Sequence, residues 1–433
     1  MRKDLEIKIK DVELFKKKLL IFGNKYQDFV LLDSNNFTSR NTQQTYYEYD
    51  FIAGVGIKSE LTEKTDFNDL SNFNKKINDW KFGFLTYDLK NKIEKLESKN
   101  LDELLFPNIH FFVPEIVILS KKAKVSVLYF ENQYKESEIQ NIIHLIETED
   151  LSVFDTKNPS INLKKRFNKK EYIETIKNLK KHNQNGDIYE INFCHEFYSK
   201  SSIEPIFTYI RLNEVSPTPF SCFYKFDDKY LISASPERFL KKNNNKVISQ
   251  PIKGTIRKGS NKKEDEKLKE KLFNDPKERA ENVMIVDLVR NDLSRTAKKG
   301  SVKVEELYGI YAFSQVFQMI STISSEVEQD IDIVDIIKNA FPMGSMTGAP
   351  KVRAMQIIEE FEKTKRGLYS GAVGYISPDN DFDFNVVIRS ILYNQTRNYV
   401  SFTVGGAITS LADPEKEYEE CMLKAEAMLR VLK

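Results

Sequence analysis

The chain has 433 residues, and 40% of them are hydrophobic, including 30 phenylalanines, which is enough to form a large buried core. Its 66 basic and 64 acidic residues leave a formal net charge of only +2, so no global charge attracts nucleic acid or an anionic membrane surface. The start of the sequence lacks the apolar segment of a signal peptide, and no apolar run approaches the ~20 residues that span a bilayer, so we expect neither a leader nor a membrane segment.

Residues 1–150 are predicted to form an amino-terminal region of short strands and lysine-rich helices. The apolar run 29–34 predicts a buried strand that ends in a turn, and residues 82–88 predict a second strand. The polar stretch 151–165 has little periodicity and is predicted to be a linker. It leads to a second region, 166–433, and we expect the two regions to interleave into one globule.

The pattern is sharper in the second region. Asn168 followed by Glu171 predicts a helix that starts with a capping box, and Gly186 predicts its end. The charge-rich run 258–271 is predicted to be a solvated loop. Alternation of apolar and polar residues predicts strands at 187–194, at 220–240 as a hairpin, at 384–392 and at 399–404.

Three cysteines, Cys194, Cys222 and Cys421, show no CxxC spacing and no even number for disulfide pairing. This usage favours a reducing, cytoplasmic location. Cys194 is followed by His195, but neighbouring residues on a strand point to opposite faces of the sheet. We therefore do not expect these two residues to form a nucleophile and its base.

Two helices are predicted to begin in the same way. Asp275-Pro276 and Asp413-Pro414 each place a good N-cap residue before a proline that suits the first helical position. Both helices then carry glutamates three residues apart: Glu278 and Glu281 in the first helix, Glu417 and Glu420 in the second.

A spacing of three places each glutamate pair on one helical face, and Lys424 falls on the face of Glu420. If the helices face each other across a cleft, four carboxylates converge and repel one another unless a cation neutralises them. Mg²⁺ would fit, because it takes oxygen ligands and keeps several waters. The alternative is that acidic residues in first turns only complement the helix dipoles.

The segment 344–351 combines small residues with Thr347 and Lys351, and Pro350 is predicted to begin a helix. Exposed N–H groups at that helix start would bind an anion. An ordinary structural helix start is an equal alternative.

Arg389 lies at the end of a predicted apolar strand, where an unpaired guanidinium is costly to bury. It is expected to hold a carboxylate, either of the protein or of a ligand. Gly405 and Gly406 would bring backbone amides close to a small anion. Together with the glutamates, these residues predict a dicarboxylate substrate between Mg²⁺ and an arginine.

Lys253 lies in the string Pro251-Ile252-Lys253-Gly254-Thr255, downstream of Ser235-Pro236-Glu237-Arg238-Phe239. A lysine between an apolar residue and a glycine could be an amine nucleophile, with the turn-borne Glu237 as a general acid. The alternative is a solvated lysine like many others in this chain.

In this order the strings resemble the chorismate-binding enzymes. The resemblance runs from about Asn168 to Leu432 and is weaker over residues 31–34 and 82–89. It implies an α+β fold of packed, mainly antiparallel β-sheets flanked by helices, like that of anthranilate synthase component I. Chorismate would lie in a cleft over Mg²⁺.

The resemblance also implies residue roles. Glu281 and Glu420 would bind the metal ion, and Glu278 and Glu417 would support it through water. Glu237 would be the general acid, with a pKa raised by partial burial. The substrate would be held by Thr347, Tyr369, Arg389, Gly405, Gly406 and Lys424.

Lys253 indicates the branch of the family. A lysine at this place is typical of aminodeoxychorismate synthases, in which the amine adds at C2 of chorismate and ammonia then adds at C4, a step towards 4-aminobenzoate and folate. A nearby cation would lower the pKa of such a lysine. Anthranilate synthases usually carry alanine there, so anthranilate synthase component I is the alternative.

A third hypothesis is an inactive, tryptophan-binding regulatory subunit, because some residues resemble the amino-acid pocket of these synthases: Leu32, Ser34, Pro217 and Phe220. No segment resembles a glutaminase. We therefore expect ammonia from a separate glutamine amidotransferase subunit, in a heterodimer, or from solution.

The sequence departs from the family pattern at three places. Glu190 stands where related synthases often carry glutamine and where the water-adding enzymes carry lysine. Gln318 stands where many relatives have histidine, and Ala407 replaces a common third glycine. The missing lysine at position 190 disfavours the addition of water at C2.

Overall fold

The computed structural model describes residues 2–37, 47–62, 65–155, 160–313 and 316–433. The α-helices of these ranges are α1 Val12–Gly23, α2 Phe67–Lys76, α3 Glu136–Glu147, α4 Lys169–Gln184, α5 Pro205–Val215, α6 Lys262–Asn274, α7 Pro276–Ser294, α8 Ile333–Ala340, α9 Lys351–Phe361 and α10 Pro414–Leu432. Among them, none is long and apolar enough to cross a membrane.

The strands are β1 Arg2–Ile7, β2 Asp28–Asp33, β3 Phe51–Leu61, β4 Lys81–Leu85, β5 Ile109–Lys121, β6 Lys124–Phe130, β7 Lys164–Lys165, β8 Glu190–Lys200, β9 Phe220–Phe226, β10 Lys229–Ser235, β11 Arg238–Asn243, β12 Lys246–Gln250, β13 Ile252–Arg257, β14 Lys303–Ala312, β15 Val316–Glu326, β16 Gly348–Ala349, β17 Ala372–Ile376, β18 Phe382–Val386, β19 Ser390–Asn394 and β20 Tyr399–Thr409.

Antiparallel pairing joins the strands into two parts that meet at β5. The first part runs in the order β8, β20, β19, β10, β9, β2, β3, β5, β6, β1. In the second part β5 pairs with β4, which continues through β17, β18, β11 and β12 to β15, with β13 and β14 paired to β15. The predicted α+β fold with mainly antiparallel sheets is confirmed.

Strands from the two halves of the sequence pair directly with each other. β2 pairs with β9 along its whole length, and β4 pairs with β17. The amino-terminal strands therefore share sheets with the strands that carry the candidate site. The proposed region bounds at residues 150 and 166 stay a prediction, and residues 156–159 of the predicted linker lie outside the described ranges.

Two large apolar clusters form the core. One cluster packs helices α1, α4 and α10 against the first sheet, through residues such as Leu19, Tyr172 and Met428. The other joins β4 and β18 to β9, through residues such as Phe84, Phe384 and Tyr224. The candidate site lies between strands β13 and β20 and the starts of helices α7 and α10.

Several predicted elements are confirmed. The strand at 29–34 is β2, and the helix after Asn168 is α4 with the predicted capping box. Both Asp-Pro pairs start helices, α7 and α10, in which the aspartate caps and the proline occupies the first turn. The predicted hairpin is formed by β9 and β10.

Two predictions of local structure are wrong. The charge run 258–271 is mostly helix α6, because Asn261 caps it and its lysines, glutamates and leucines favour helix. The strand predicted at 384–392 is interrupted between β18 and β19, where Arg389 adopts a φ of 50°. The predicted strand at 187–194 begins only at Glu190.

A buried ion pair lies beneath the candidate site. The Arg366 guanidinium donates from Nε and Nη2 to both carboxylate oxygens of Glu362, at 3.0 and 2.7 Å, and from Nη2 to the Asn192 carbonyl oxygen at 2.7 Å. Both side chains are nearly inaccessible to solvent. All of these partners of Arg366, which lies three residues before Tyr369, are groups of the protein itself.

We expect Arg366→Met to destabilise the protein by about 3–5 kcal/mol, because it leaves the Glu362 carboxylate buried without its partner. Arg397→Met is the matched control, since Arg397 pairs with Glu103 at the surface with 44% of its side chain exposed. Such exposed pairs contribute roughly 0–1 kcal/mol. Thermal unfolding followed by circular dichroism measures both; equal losses of Tm would contradict the structural role of Arg366.

Candidate active site

A cavity of about 890 Å³, including its open mouth, lies between β13, β20 and the first turns of α7 and α10. Most of the predicted site residues line it, and they come from distant parts of the sequence. They are Glu237, Lys253, Glu278, Glu281, Tyr369, Arg389, Gly405, Glu417, Glu420 and Lys424.

The cavity receives two helix N-termini. The Asp275 side chain accepts hydrogen bonds from the backbone N–H groups of Lys277 and Glu278, at 2.9 and 3.1 Å, and Asp413 caps α10 in the same way. The caps fix the first turns that carry the glutamates. Carboxylates at these positions also interact favourably with the positive ends of the helix dipoles.

Lys277 shows that the two helices face each other. Its ammonium lies 3.1 Å from Glu417 Oε1 on α10 and 3.7 Å from Glu281 Oε1 on its own helix. On the α10 side, Lys424 Nζ lies 2.7 Å from Glu420 Oε1 and donates to the Gly405 carbonyl oxygen at 3.1 Å. The predicted convergence of four carboxylates is therefore present, interleaved with two lysines.

The oxygen donors of this cluster fit a hard cation such as Mg²⁺. Within the described part of the chain, the buried Oε1 of Glu281 has no hydrogen-bond partner. Burial raises the pKa of Glu281 to about 7, and the neighbouring carboxylates of Glu190 and Glu278 add to this effect against the opposing charges of lysines. A cation would relieve this repulsion, with Glu278, Glu281, Glu417 and Glu420 as the candidate set.

Lys253 is buried at the centre of the cavity on β13. Its ammonium donates to Glu190 Oε1 on β8 at 2.5 Å. Burial lowers the pKa of Lys253, but the charges of Glu190 and Glu281 raise it by more, so the net pKa lies above the ordinary value. The lowering of this pKa by a nearby cation stays a prediction, and the carboxylates nearest to the amine act in the opposite direction.

Gly254 allows the chain to turn directly after the lysine. It adopts a φ of +90°, and a Cβ atom there would lie 3.1 Å from Glu278 Oε2 and 3.2 Å from Leu272 Cδ1. A side chain would be strained by this backbone conformation and crowded by its neighbours. The glycine thus places Lys253 close to the acidic cluster.

Glu237 lies between β10 and β11 and lines the same cavity. The Ser345 hydroxyl donates to Glu237 Oε1 at 2.6 Å. Burial raises the pKa of Glu237 to about 7, against the lowering effects of Ser345 and Lys253. The predicted rise in its pKa is confirmed, and near neutral pH the group can both hold and release a proton.

Arg389 is half-buried, with its guanidinium in the cavity. Burial lowers its pKa to about 10, although the charge of Glu237 opposes this. No carboxylate of the described residues forms an ion pair with it. Of the two alternatives left open by the sequence, this arrangement favours a carboxylate of a ligand.

The wall beside Arg389 is formed by Tyr369 and β20. The Tyr369 hydroxyl lies 3.5 Å from Cys194 Sγ and lines the cavity. A Cβ atom at Gly405 would lie 2.4 Å from the same sulfur atom, so only glycine lets β20 lie this close to β8. Cys194 therefore packs behind the site, and His195 has its ring among Phe167, Tyr172 and Phe197.

Thr347 and Gly406 do not line the cavity. The Thr347 hydroxyl is buried and donates to the carbonyl oxygens of Met343 and Gly344, both at 3.2 Å. Lys351, also considered for an anion site, forms an ion pair with Asp292 at 2.6 Å. The polar side chains Thr347 and Lys351 thus have partners within the protein, which favours an ordinary helix start over an anion-binding site. A contact between Thr347 and the substrate stays a prediction.

Sequence reasoning gave no role to Lys277 and Ser345, which line the cavity, or to Glu190, which contacts the cavity residue Lys253. Lys277 precedes Glu278 and stands four residues before Glu281, a spacing that brings side chains together on a helix. Ser345 lay within the 344–351 segment but was not singled out. Glu190 was noted only as a departure, although its contact with Lys253 makes it part of the site.

A second cavity of about 430 Å³ lies near the predicted amino-acid pocket. Leu32, Ser34 and Phe220 line it, as predicted. Pro217 does not, because it borders a different cavity beside Lys424, and Pro219 takes its place. Whether tryptophan binds in the second cavity stays a prediction.

Similarity to known proteins shows the family of this chain. A family model described as chorismate binding enzyme matches residues 27–430. Anthranilate synthase component 1 from Aquifex aeolicus is 34% identical over 364 residues, which cover 81% of this chain and 73% of that protein. Aminodeoxychorismate synthase component 1 from Bacillus subtilis is also 34% identical, over 361 residues that cover 81% and 76%.

The fold is similar to the crystal structure of anthranilate synthase component I from Streptococcus pneumoniae, with a TM-score of 0.78 and 24% identity. The match covers 91% of this chain and 95% of that one. The two relatives of equal identity carry different activities in their names, so the degree of similarity does not separate those activities.

We expect Glu237→Gln to change how stability depends on pH. Because the pKa of Glu237 rises from 4.5 to about 7 on folding, the wild type is stabilised below pH 4.5 and loses this contribution as the pH rises through 7. The amide does not titrate. Between pH 4.5 and 7 the free energy of unfolding of the mutant should therefore rise by roughly 3 kcal/mol relative to that of the wild type.

Thermal unfolding at several pH values measures the difference between the two proteins. Glu174→Gln, on the exposed surface of α4, is the control for the removal of one carboxylate. A difference in Tm between the Glu237 variant and the wild type that is independent of pH would contradict a raised pKa.

Proposed function

The chain belongs to the chorismate-binding enzyme family, and we propose that within this family it is component I of an aminodeoxychorismate synthase. The observation that carries this proposal is the buried Lys253, which lies in the cavity and contacts Glu190 at 2.5 Å. An amine nucleophile needs such a position, close to the substrate and to a group that can take its proton. The proposed reaction is the amination of chorismate at C4.

The cavity offers complementary groups for a dicarboxylate. Arg389 and Tyr369 would hold one carboxylate of chorismate, and Lys424 and the backbone around Gly405 border the same cavity. Mg²⁺, when bound by Glu281 and Glu420 with support from Glu278 and Glu417, would neutralise the other carboxylate and orient it. The positive charge of Arg389 is retained, because its pKa of about 10 lies above neutral pH.

The first chemical step would use Lys253 and Glu237. The Lys253 amine adds to C2 of chorismate while the double bond shifts and the C4–O bond breaks. Glu237 gives its proton to the departing C4 hydroxyl, which leaves as water. Its pKa of about 7 suits this transfer, because a large fraction of the carboxyl groups is protonated near neutral pH.

Glu190 would accept the proton that Lys253 loses before it acts as a nucleophile. Lys253 is held as an ammonium ion, so it must lose a proton before its lone pair can attack, and Glu190 Oε1 is in hydrogen-bond contact to receive it. Ammonia then adds at C4, the double bond shifts back and the C2–N bond to Lys253 breaks. The lysine regains its proton, and 4-amino-4-deoxychorismate and water are the products of chorismate and ammonia.

We propose that the ammonia comes from a separate glutamine amidotransferase subunit. The relatives with this activity are named as component 1, which supports a protein that acts with a second component. Free ammonium would replace the subunit at high concentration. In the cell the product would enter 4-aminobenzoate and folate synthesis.

Anthranilate synthase component I is the alternative, since a relative with that name is equally similar. It would release pyruvate and place the amino group at C2, a route that needs no lysine nucleophile. A tryptophan-binding regulatory subunit without activity is the third hypothesis, and the second cavity at Leu32 and Ser34 is the feature that favours it. The complete set of acidic residues, Glu237 and Lys253 argues against an inactive protein.

Product analysis tests the proposed branch. Purified protein with chorismate, Mg²⁺ and ammonium should give aminodeoxychorismate, and Lys253→Ala should reduce its formation by at least about 100-fold because the covalent route is lost. Lys200→Ala, at the exposed end of β8, should behave as the wild type. Anthranilate as the wild-type product would contradict the branch, and tryptophan binding without any amine product would favour the regulatory hypothesis.

The metal set is tested by Glu281→Gln and Glu420→Gln. Each removes one proposed ligand, so we expect the Mg²⁺ concentration for half-maximal activity to rise at least about tenfold. Glu419→Gln, exposed on the same helix as Glu420, removes the same charge outside the cluster. The Mg²⁺ concentration for half-maximal activity should be unchanged in this variant. Equal Mg²⁺ dependence in all variants would contradict the assignment of the ligands.

A further inference from the structure

Three ionisable side chains converge away from the chorismate cavity, at the end of β2. They are Asp28 on β2, Glu60 on β3 and His110 on β5. One ligand atom of each lies within 4.8 Å of the other two. His110 Nε2 is 3.0 Å from Asp28 Oδ2 and 3.7 Å from Glu60 Oε2.

An irregularity in β3 directs Glu60 to this cluster. The pairing of β3 with β5 shifts by one residue between Ile57 and Ser59, so that Glu60 lies opposite Phe112. His110 is two residues from Phe112 and therefore shares its face of β5. Without the shift, Glu60 would lie opposite Phe111 and point to the other face. Such irregularities often direct a side chain to a specific site.

Two of the three ligand atoms are buried without a hydrogen bond. Asp28 and His110 are fully inaccessible to solvent. Their facing atoms, Oδ2 and Nε2, form no hydrogen bond of acceptable geometry with any described group, although they are close to each other. The other ring nitrogen, His110 Nδ1, lies 2.9 Å from the Tyr224 hydroxyl. A buried polar atom without a hydrogen-bond partner destabilises the folded protein. We therefore expect a bound group between these two atoms that interacts with both of them.

The second contact of the histidine suits a metal ligand. A histidine that binds a metal through one nitrogen generally uses the other in a hydrogen bond that fixes the ring. If Nδ1 donates to the Tyr224 hydroxyl, the Nε2 lone pair points at the two carboxylates. The ring is further fixed by Phe84, Phe112 and Phe226, whose centroids lie 5.5, 5.8 and 4.3 Å away.

The charges of the cluster do not balance within the protein. Two carboxylates face one imidazole, so even an imidazolium leaves one net negative charge beside aromatic rings. Lys225 on β9 interacts with Asp28 at longer range, but its ammonium donates to the carbonyl oxygens of Asn24 and Tyr26, both at 2.7 Å. A divalent cation with a neutral imidazole would balance both carboxylates.

We propose that Asp28, Glu60 and His110 bind one divalent transition-metal ion, of which Zn²⁺ is the best fit. One imidazole nitrogen and two carboxylate oxygens form a donor set that Zn²⁺ accepts, with water in a remaining position. Glu60 keeps 38% of its side chain exposed, so an ion can enter from solvent. Bound there, the ion would link β2, β3 and β5 and stabilise the folded protein.

Titration calorimetry with ZnCl₂ tests the site in the full-length protein, with excess Mg²⁺ to occupy the acidic cluster of the cavity. The wild type should bind one equivalent of Zn²⁺ and gain thermal stability. Glu60→Gln keeps the size of an exposed side chain and should weaken this binding at least about tenfold. Glu6→Gln, an exposed strand glutamate outside the cluster, is the matched control.

A second readout separates this site from the cavity. Co²⁺ bound in place of Zn²⁺ should give visible absorption bands that are lost in Glu60→Gln and retained in Glu281→Gln. The proposal is overturned if the wild type binds no Zn²⁺ under excess Mg²⁺, if Glu60→Gln binds as the wild type does, or if Glu281→Gln removes the bands. These outcomes do not depend on whether the protein aminates chorismate.

Discussion

The contact between the Lys253 ammonium and the Glu190 carboxylate is the interaction on which the account of the cavity depends. Burial of two charges is costly, and this pair lies among further charges, those of Glu281 and Glu237. It holds Lys253 towards the cavity at 2.5 Å from a proton acceptor. It also raises the pKa of the lysine, so the proposed chemistry requires a proton transfer along this same contact.

The other charged residues of the cavity lie around this pair and around the acidic first turns of α7 and α10. Asp275 and Asp413 cap α7 and α10 and fix the turns that carry the glutamates. The cluster of carboxylates is balanced by lysines from both helices, Lys277 and Lys424. Arg389 has no carboxylate partner among the described residues, and Glu237, whose pKa is about 7, can hold a proton near neutral pH. The cavity therefore combines a cluster of carboxylates with an arginine that has no carboxylate partner among the described residues, which suits a substrate held between a cation and an arginine.

Much of the site could be predicted from the sequence, because its chemistry follows from local patterns. The Asp-Pro starts of α7 and α10 and the glutamate spacing were read from propensity and helical period alone, and the structure brings both pairs to one cavity. The raised pKa of Glu237 was expected from the partial burial that the family resemblance implies, and burial is its largest cause. What the sequence could not give were contacts between distant elements.

The contact of Glu190 with Lys253 joins β8 to β13, 63 residues apart, and the Glu190 carboxylate raises the pKa of the lysine, an effect that the local sequence does not reveal. The positive φ of Arg389 interrupts a strand that its apolar residues predict, since alternation does not reveal a local change of backbone direction. The run 258–271 failed as a loop prediction because high charge is compatible with a solvated helix when the residues favour that structure. In the first two cases tertiary context outweighed a local signal, and in the third the local helix propensity outweighed the expectation from charge.

The most direct test of the central claim is intact-protein mass spectrometry after incubation with chorismate and Mg²⁺ in the absence of ammonia. Covalent capture by Lys253 predicts a protein whose mass is increased by that of chorismate less one water. The added mass should be located on the peptide that contains Lys253, be released by ammonium and be absent in Lys253→Ala. Turnover to aminodeoxychorismate without any such species, or an adduct that persists in Lys253→Ala, would contradict the account.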